Sequence, residues 1–205
     1  MRPESGSVLE SRSALAAVLP ASGLDGADGR RRLRLGETPL GELVQVGVYP
    51  GCEALIATAA HTLPTAALPV STLAAVRHEG SVAFRIATDQ YWFRSSSPGL
   101  AAQLRASLPE HAASVTPLEG SRTCILIEGP AARSLLGRLV AIDVDSERFG
   151  VGQFAQVPIH HVGGLLYRVG LNCYEFIALR TYAASTFEVI EDAARFYGYD
   201  ICEGT

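Results

Sequence analysis

The sequence predicts an α+β fold made of a duplicated, pseudo-two-fold unit, in which antiparallel sheets are layered with helices. A sixteen-residue pattern occurs twice, as HEGSVAFRIATDQYWF at 78–93 and as HVGGLLYRVGLNCYEF at 161–176. Around each copy, the order of predicted elements is strand, hairpin and helix. Self-similarity at a fixed spacing indicates duplicated architecture, and strand–hairpin–helix units are typical of layered α+β domains.

A constant spacing of 83 residues aligns the two copies. The aligned positions are the structural repeat positions of the chain, and they are aromatic, glycine or arginine residues with one histidine pair at the start. They are His78 with His161, Gly80 with Gly163, Phe84 with Tyr167, Arg85 with Arg168, Tyr91 with Tyr174, and Phe93 with Phe176.

Along the chain, residues 1–30 are rich in Ser, Gly, Ala and Asp and predict an N-terminal arm that is ordered only if something holds it. Residues 31–205 predict a single duplicated domain with repeat halves at about 72–117 and 153–205. The remaining elements follow from alternation, helix formers and Gly or Pro breaks. Strands are predicted at 73–79, 82–87, 90–95, 123–129, 154–160, 165–170 and 173–179, and helices at 53–63, 97–108, 131–139 and 182–196.

The predicted hairpins bring the repeated aromatic residues together in pairs. In the simplest register Phe84 faces Phe93, and in the second copy Tyr167 faces Phe176. Each such aromatic pair stabilises a sheet by roughly 0.2–1 kcal/mol relative to alanine. On the opposite face, the same register places Arg85 against Trp92. Most of the repeated letters therefore specify a core.

Composition excludes several function classes. The 205 residues carry a net charge of −4 and every basic residue is arginine, which excludes lysine-based Schiff-base and P-loop chemistry. The basic cluster at 30–34 is expected to be a solvated segment leading into a strand, and no nucleic-acid partner is predicted. No apolar run approaches the ~20 residues needed to cross a bilayer. We expect a cytoplasmic protein without a membrane partner.

The residues that could carry chemistry are not arranged for it. Cys52, Cys124, Cys173 and Cys202 lie far apart without a C-x-x-C pair, so neither a zinc site nor a disulfide framework is predicted. His160 and His161 are adjacent, and on a strand they would point to opposite faces. His61, His78 and His111 lack neighbouring ligands at a suitable spacing.

The acidic run at 143–147 lacks the terminal glutamate of a calcium loop, and GVGQFAQ at 150–156 lacks the third glycine of a nucleotide loop. The sequence predicts no catalytic, cofactor-binding or metal residue.

With these elements placed, the chain resembles the gamma subunit of heterotetrameric sarcosine oxidase. The resemblance depends on stretches that run nearly from end to end. They are SRSALA near the start, LVQVGVYPG at 43–51, TDQYWF at 88–93, CILIEGPAARSLL at 124–136, AIDVDSERFGVGQFAQVPIHHV at 141–162 and YEFIALRTYAASTFEVIEDAARFYG at 174–198. The chain departs from the family at 87–93, where ATDQYWF replaces a sequence closer to G-P-D-E-W-L-L.

The resemblance implies a fold like the folate-binding domain of aminomethyltransferases. It also implies a non-catalytic structural subunit of a complex that oxidatively demethylates sarcosine or a related N-methyl amino acid. The alpha, beta and delta subunits would then carry FAD, FMN, NAD, zinc and tetrahydrofolate, and this chain would carry none of them. The complex would be an oxidoreductase acting on a CH–NH group.

Two other classes remain open at this point. The first is a folate-binding protein of the aminomethyltransferase-like class, including the related iron–sulfur maintenance proteins. Those proteins carry a K-G-C-Y-x-G-Q type motif, and the matching neighbourhood here is FGVGQFAQV. The second is a stand-alone small-molecule binder. An exposed apolar surface would favour the subunit, and a deep pocket in a closed polar surface would favour the binder.

Overall fold

A computed structural model describes residues 13–59, 65, 67–72, 74–118, 120–145 and 147–202. Its strands are β1 Leu33–Glu37, β2 Glu42–Val48, β3 Ala75–His78, β4 Ser81–Ala87, β5 Gln90–Ser95, β6 Ala113–Pro117, β7 Arg122–Glu128, β8 Phe154–Ile159, β9 Val162–Gly170, β10 Cys173–Leu179 and β11 Tyr199–Cys202. Its helices are α1 Glu53–Ala59, α2 Leu100–Ser107, α3 Ala132–Leu139 and α4 Ala183–Ala194, the last preceded by a 3-10 turn at Arg180–Tyr182. The predicted α+β class is confirmed.

The strands form two sheets that stack face to face. One sheet has the order β3-β4-β5-β2-β6 and the other has the order β11-β1-β7-β10-β9-β8. One core cluster packs α1 and α2 on the five-stranded sheet, and a second packs α3 and α4 on the six-stranded sheet. A third cluster draws residues from both sheets. The layer order is therefore helix, sheet, sheet, helix.

The duplicated unit is larger than the sequence pattern predicts. The chain order β2-α1-β3-β4-β5-α2-β6 recurs as β7-α3-β8-β9-β10-α4-β11. In the first sheet β6 pairs directly with β2, whereas in the second β1 lies between β11 and β7. Because β1 is antiparallel to β7, its pairing with β11 is parallel. The sequence predicts antiparallel sheets only, so this parallel pair differs from the prediction. It arises because β1 is inserted between β7 and β11, the two strands that correspond to the directly paired β2 and β6 of the first sheet.

The predicted hairpin register is wrong by one residue, for the same reason in both copies. Next to the turns, Ala87 pairs with Gln90 and Gly170 with Cys173, as in the simplest register. A bulge then leaves Ile86 unpaired in one hairpin and Val169 unpaired in the other. Beyond the bulge, the partner of every residue is shifted by one, so that side chains expected to share a face lie on opposite faces.

The consequence is a different set of neighbours. Phe84 pairs with Trp92 and Ala83 with Phe93. In the second hairpin, Glu175 pairs with Tyr167, Phe176 with Leu166 and Tyr174 with Arg168. The predicted pairs of Phe84 with Phe93 and of Arg85 with Trp92 are therefore not formed.

The sequence alignment also shifts at the first turn of each unit. Glu79 and Gly80 form one turn, and their counterparts are His160 and His161, because His78 pairs with Ser81 and Ile159 with Val162. The spacing between the copies is thus 81 residues at this turn. It is 83 along the rest of the hairpin, from Ser81 and Gly164 onward, since β9 has two more residues than β4 at its start. The structural counterparts of His78 and Gly80 are consequently Ile159 and His161, two residues before the His161 and Gly163 of the sequence alignment.

The described part of the arm, residues 13–30, packs on the rest of the chain. Leu15 is fully buried in the cluster beneath α3 and α4, and Leu24 bridges to Tyr199. Gly198, with φ of +70°, ends the last helical segment, and a Cβ there would lie 2.1 Å from the Arg30 carbonyl oxygen. Only glycine fits this conformation and this close approach.

The Glu37 carboxylate holds the start of this segment. It accepts hydrogen bonds from the Ser13 hydroxyl, the backbone N–H groups of Ala14 (3.2 Å) and Leu15 (3.3 Å), and the Thr123 hydroxyl (2.7 Å). Burial alone would raise the pKa of Glu37, but these donors lower the pKa below its ordinary value of 4.5.

We expect the attachment of the arm to weaken in acid. A carboxyl group whose pKa is depressed in the folded state stabilises that state above its unfolded pKa, and the contribution is lost as the pH falls through the folded pKa. Hydrogen exchange of residues 14–19, expressed relative to its intrinsic rate at each pH, should become faster below about pH 4.5 in the wild type. In Glu37→Gln it should already be fast at pH 7. Equal protection of the two proteins at pH 7 would contradict this role for Glu37.

Candidate functional site

The layer between the two sheets is the candidate functional site, because both repeats contribute its side chains. At its centre, the Phe84 ring lies edge-on to Phe154 and to Tyr167, with centroid distances of 5.2 and 5.0 Å. Phe84 and Tyr167 are aligned repeat positions, so each unit presents the same position to the other. Positions that meet their own counterparts lie next to the symmetry axis.

The repeated arginines lie on the helix-facing side of the sheets and hold the hairpins. Arg85 lies over the Tyr91 ring at 5.7 Å, and Arg168 lies over the Tyr174 ring at 5.6 Å. Arg85 Nη2 donates to the Thr88 carbonyl, and Arg168 Nη2 donates to the Leu171 carbonyl, each at 2.8 Å. In both units, an arginine beside the bulge therefore stacks on a tyrosine and binds the turn.

Two clefts open into the inter-sheet layer, and they occupy equivalent places in the two units. The first, the polar cleft, has a volume of about 280 Å³ and is lined by Gly80, Val82, Arg94 and Glu175 among others. Arg94 and Glu175 form an ion pair inside it, with only 15% and 12% of their side chains exposed. Arg94 also donates to the carbonyls of Pro39 and Leu40 at 2.9 and 2.8 Å.

We expect Arg94→Met to lower the free energy of unfolding by about 2 kcal/mol, because it leaves the Glu175 carboxylate largely buried without its counter-charge. Urea unfolding at pH 7 measures this. The double variant Arg94→Met/Glu175→Gln should be more stable than the single variant, since the uncompensated charge is removed. A single variant as stable as the wild type would contradict the assignment.

The second, the apolar cleft, has a volume of about 370 Å³. Its side chains are mainly aliphatic, and Trp92 and Arg122 stand at one wall, with the guanidinium 5.5 Å from the indole centroid. The Trp92 indole N–H donates to Gln45 Oε1 at 3.1 Å. Trp92 and Ile177 occupy the positions in this cleft that Glu175 and Arg94 occupy in the polar cleft. The two units therefore differ at these positions, with an ion pair in the polar cleft and apolar side chains in the apolar cleft.

The residues that sequence analysis weighed for chemistry remain separate. Among the described residues, no three His, Cys, Asp or Glu side chains are grouped so as to hold a metal ion. All four cysteines are free thiols. Burial raises the pKa of Cys124 well above its ordinary value and the pKa of Cys173 to about 11, so neither is activated as a thiolate.

The His160–His161 pair differs from the prediction. These residues form a turn rather than part of a strand, and their rings lie with centroids 3.9 Å apart. Of the acidic run, Asp143 and Asp145 lie near Arg148 and Arg133. His61 lies outside the described residues. The basic cluster at 30–34 is matched by acids, with Arg31 bound to Asp25 and Asp200, Arg32 to Asp28, and Arg34 to Glu128.

Sequence analysis missed the two clefts. Their key residues are far apart in sequence, and neighbouring positions contain no motif. One signal was present, since Trp92 and Glu175 share a repeat position with very different side chains. A large difference in side-chain chemistry at one position of a repeated pattern indicates a place where the two units differ in role.

No protein-family model matches the chain. Among curated proteins, the gamma subunit of sarcosine oxidase from Corynebacterium sp. (strain U-96) is 25% identical over 149 residues, which are 70% of this chain and 73% of that subunit. Heterotetrameric sarcosine oxidase from Corynebacterium sp. U-96, solved in complex with pyrrole 2-carboxylate, contains a similar chain. It superposes with a TM-score of 0.78 at 22% identity, over 91% of this chain and 96% of that chain.

The resemblance to the sarcosine oxidase gamma subunit is confirmed. The fold is also similar to aminomethyltransferase T of the glycine cleavage system from Bartonella henselae, with a TM-score of 0.59 and 16% identity. That match covers 84% of this chain and 48% of the transferase. The chain thus matches about half the length of the aminomethyltransferase and nearly the whole of one chain of the heterotetrameric sarcosine oxidase. In the described parts of the structure, no helix is both long and apolar enough to span a bilayer.

Proposed function

We propose that this chain is a non-catalytic structural subunit of a cytoplasmic, heterotetrameric, flavin-dependent complex of the sarcosine oxidase type. The complex oxidatively demethylates sarcosine or a related N-methyl amino acid. The observation that carries the proposal is the match to one chain of a heterotetrameric sarcosine oxidase over 91% of this chain and 96% of that chain. The sequence match to a gamma subunit supports the same assignment.

The proposed partners are alpha, beta and delta subunits, which carry FAD, FMN, NAD, zinc and tetrahydrofolate. Support for this division of labour comes from the roles of the polar side chains. Arg85 and Arg168 bind backbone carbonyls, and Arg94 is paired with Glu175. Burial also raises the pKa of the Cys173 thiol. The arginines therefore stabilise the chain's own fold, which is the property that a scaffold for partner subunits requires.

Exposed apolar side chains support an assembly role. Val151 and Leu171 are 57% and 68% exposed. They lie in the two loops at one end of the six-stranded sheet, where Arg168 donates to the carbonyls of Phe149 and Leu171. Phe196, after α4, is 62% exposed. Large apolar groups that are left in solvent on a folded chain are candidates for burial by a partner.

The proposal predicts that substitutions of chemically versatile residues leave turnover unchanged. His160→Ala, His161→Ala and Cys173→Ser should each give assembled complex with wild-type subunit ratios and wild-type turnover per bound flavin. The measurement is N-methyl amine oxidation by purified complex, normalised to the flavin absorbance. A variant that assembles fully and loses more than about tenfold in turnover would place catalytic chemistry in this chain, since a single general acid or base contributes at least that much.

The folate-binding alternative is supported by fold alone, because the aminomethyltransferase match is 16% identical. It predicts that the isolated chain binds tetrahydrofolate, and isothermal titration of the purified chain tests it. Under the subunit proposal, the isolated chain shows no such binding.

A further inference from the structure

The apolar cleft has the size and the surface of a small-molecule site. Its volume of about 370 Å³ lies at the lower end of the range for ligand sites, which are mostly apolar with a few polar groups that fix orientation. Leu165, Ile177 and Val157 line it. Its described lining residues include no Asp or Glu, so the positive charge of Arg122 is the only formal charge on its walls.

No carboxylate among the residues that the structure describes forms an ion pair with that charge. The Arg122 guanidinium stacks on Trp92 and makes two long hydrogen bonds to Ser121, 3.3 Å to the carbonyl and 3.2 Å to the hydroxyl. Burial lowers the pKa of Arg122, which indicates a charge that water solvates incompletely. In the polar cleft, by contrast, Glu175 neutralises Arg94. The position equivalent to Glu175 is Trp92, so the apolar cleft offers a planar apolar surface beside a cation that no described carboxylate neutralises.

One wall of the cleft is exposed backbone at Gly163. No heavy atom lies within 4 Å of the position that a Cβ would take there. The space above this residue is therefore open to a ligand, and a flat group can approach the strand more closely than any side chain would permit. The same opening makes Gly163 a position where a side chain can fill the cleft without a clash.

We propose that the cleft between Trp92, Arg122 and Gly163 binds a small carboxylate with a flat apolar body. The two carboxylate oxygens accept hydrogen bonds from two parallel N–H groups of the Arg122 guanidinium, a geometry that suits a planar anion with two oxygens. The flat body lies over the exposed backbone of Gly163. This inference goes beyond the proposed subunit role and does not depend on it, because it concerns the isolated chain.

The chain contains one tryptophan, Trp92, so its fluorescence reports on this cleft alone. The probe is benzoate, titrated into the full-length chain at constant ionic strength. We expect a saturable change in Trp92 emission with a dissociation constant in the ~millimolar range, as the small size of the probe dictates. Benzamide, which has the same shape and no charge, should bind at least tenfold more weakly.

Two variants locate the site, and one serves as a matched control. Arg122→Gln removes the cation and Gly163→Val places a side chain in the space above residue 163, and each should weaken benzoate binding at least tenfold. Arg77→Gln removes an exposed arginine of the polar cleft and should leave the binding unchanged. The proposal is overturned if wild-type emission shows no saturable response to benzoate or an equal response to benzamide. It is also overturned if Gly163→Val, folded by circular dichroism, binds benzoate as the wild type does.

Discussion

Phe84→Ala should lower the free energy of unfolding by about 4 kcal/mol, which is the largest effect we expect from one substitution. Phe84 is fully buried and meets Phe154 and Tyr167 edge-on at the centre of the inter-sheet layer. Replacing a buried phenylalanine with alanine removes its transfer free energy and leaves a cavity, at a typical cost of 3–5 kcal/mol. The lost edge-to-face contacts add to this. Urea unfolding followed by circular dichroism measures the change.

Phe196→Ala is the matched control, because that ring is 62% exposed and should contribute less than about 1 kcal/mol to the isolated chain. If Phe84→Ala and Phe196→Ala had similar effects, the two sheets would not be held together through the centre described here. A larger effect of Phe196→Ala in the assembled complex than in the isolated chain would be expected of a partner contact.

Arg168→Met should lower the free energy of unfolding by about 3 kcal/mol. Arg168 is 1% exposed and donates to the carbonyls of Phe149 at 2.5 Å, Gly170 at 3.3 Å and Leu171 at 2.8 Å. Methionine keeps much of the packing but leaves these acceptors without their donor, and hydrogen bonds to a charged group contribute about 1.5–3 kcal/mol each. The expected loss is smaller than the sum of three such hydrogen bonds, because the loops can relax and water can reach two of the carbonyls.

Arg85→Met is the control within the same molecule. Arg85 makes the same turn contact and the same tyrosine contact, but it is only partly buried and binds two carbonyls, those of Val70 and Thr88. Its replacement should cost about 1 kcal/mol. The order of the two free energies of unfolding tests this prediction most strictly. An Arg85→Met variant that is less stable than Arg168→Met would contradict the roles assigned to the two arginines.

Local patterns were enough to predict most elements and the duplicated α+β class. Alternation over 90–95 and 173–179 gave strands with the observed bounds, and leucine spacing over 131–139 gave α3 within one residue. The bulges were not predictable, because Ile86 and Val169 are ordinary strand residues. They change the register by one residue and so reverse which aromatic side chains face the other sheet.

Long-range contacts account for what sequence reasoning missed. The parallel pair of β1 and β11 joins the two ends of the domain, and short β strands of this kind carry no signal for their partners. The Arg94–Glu175 pair joins residues 81 positions apart across two sheets. The clefts exist because those sheets stack, so their lining residues could not be grouped before the topology was known.

The central claim is that this chain works as a subunit of an amine-oxidising flavoenzyme. A tagged copy of the chain, purified from its native cell under mild conditions and characterised by mass spectrometry and visible absorption, tests it most directly. The account predicts co-purification with three partner subunits at constant ratios and a flavin spectrum that N-methyl amino acids bleach. A lone, colourless chain that binds tetrahydrofolate would contradict it.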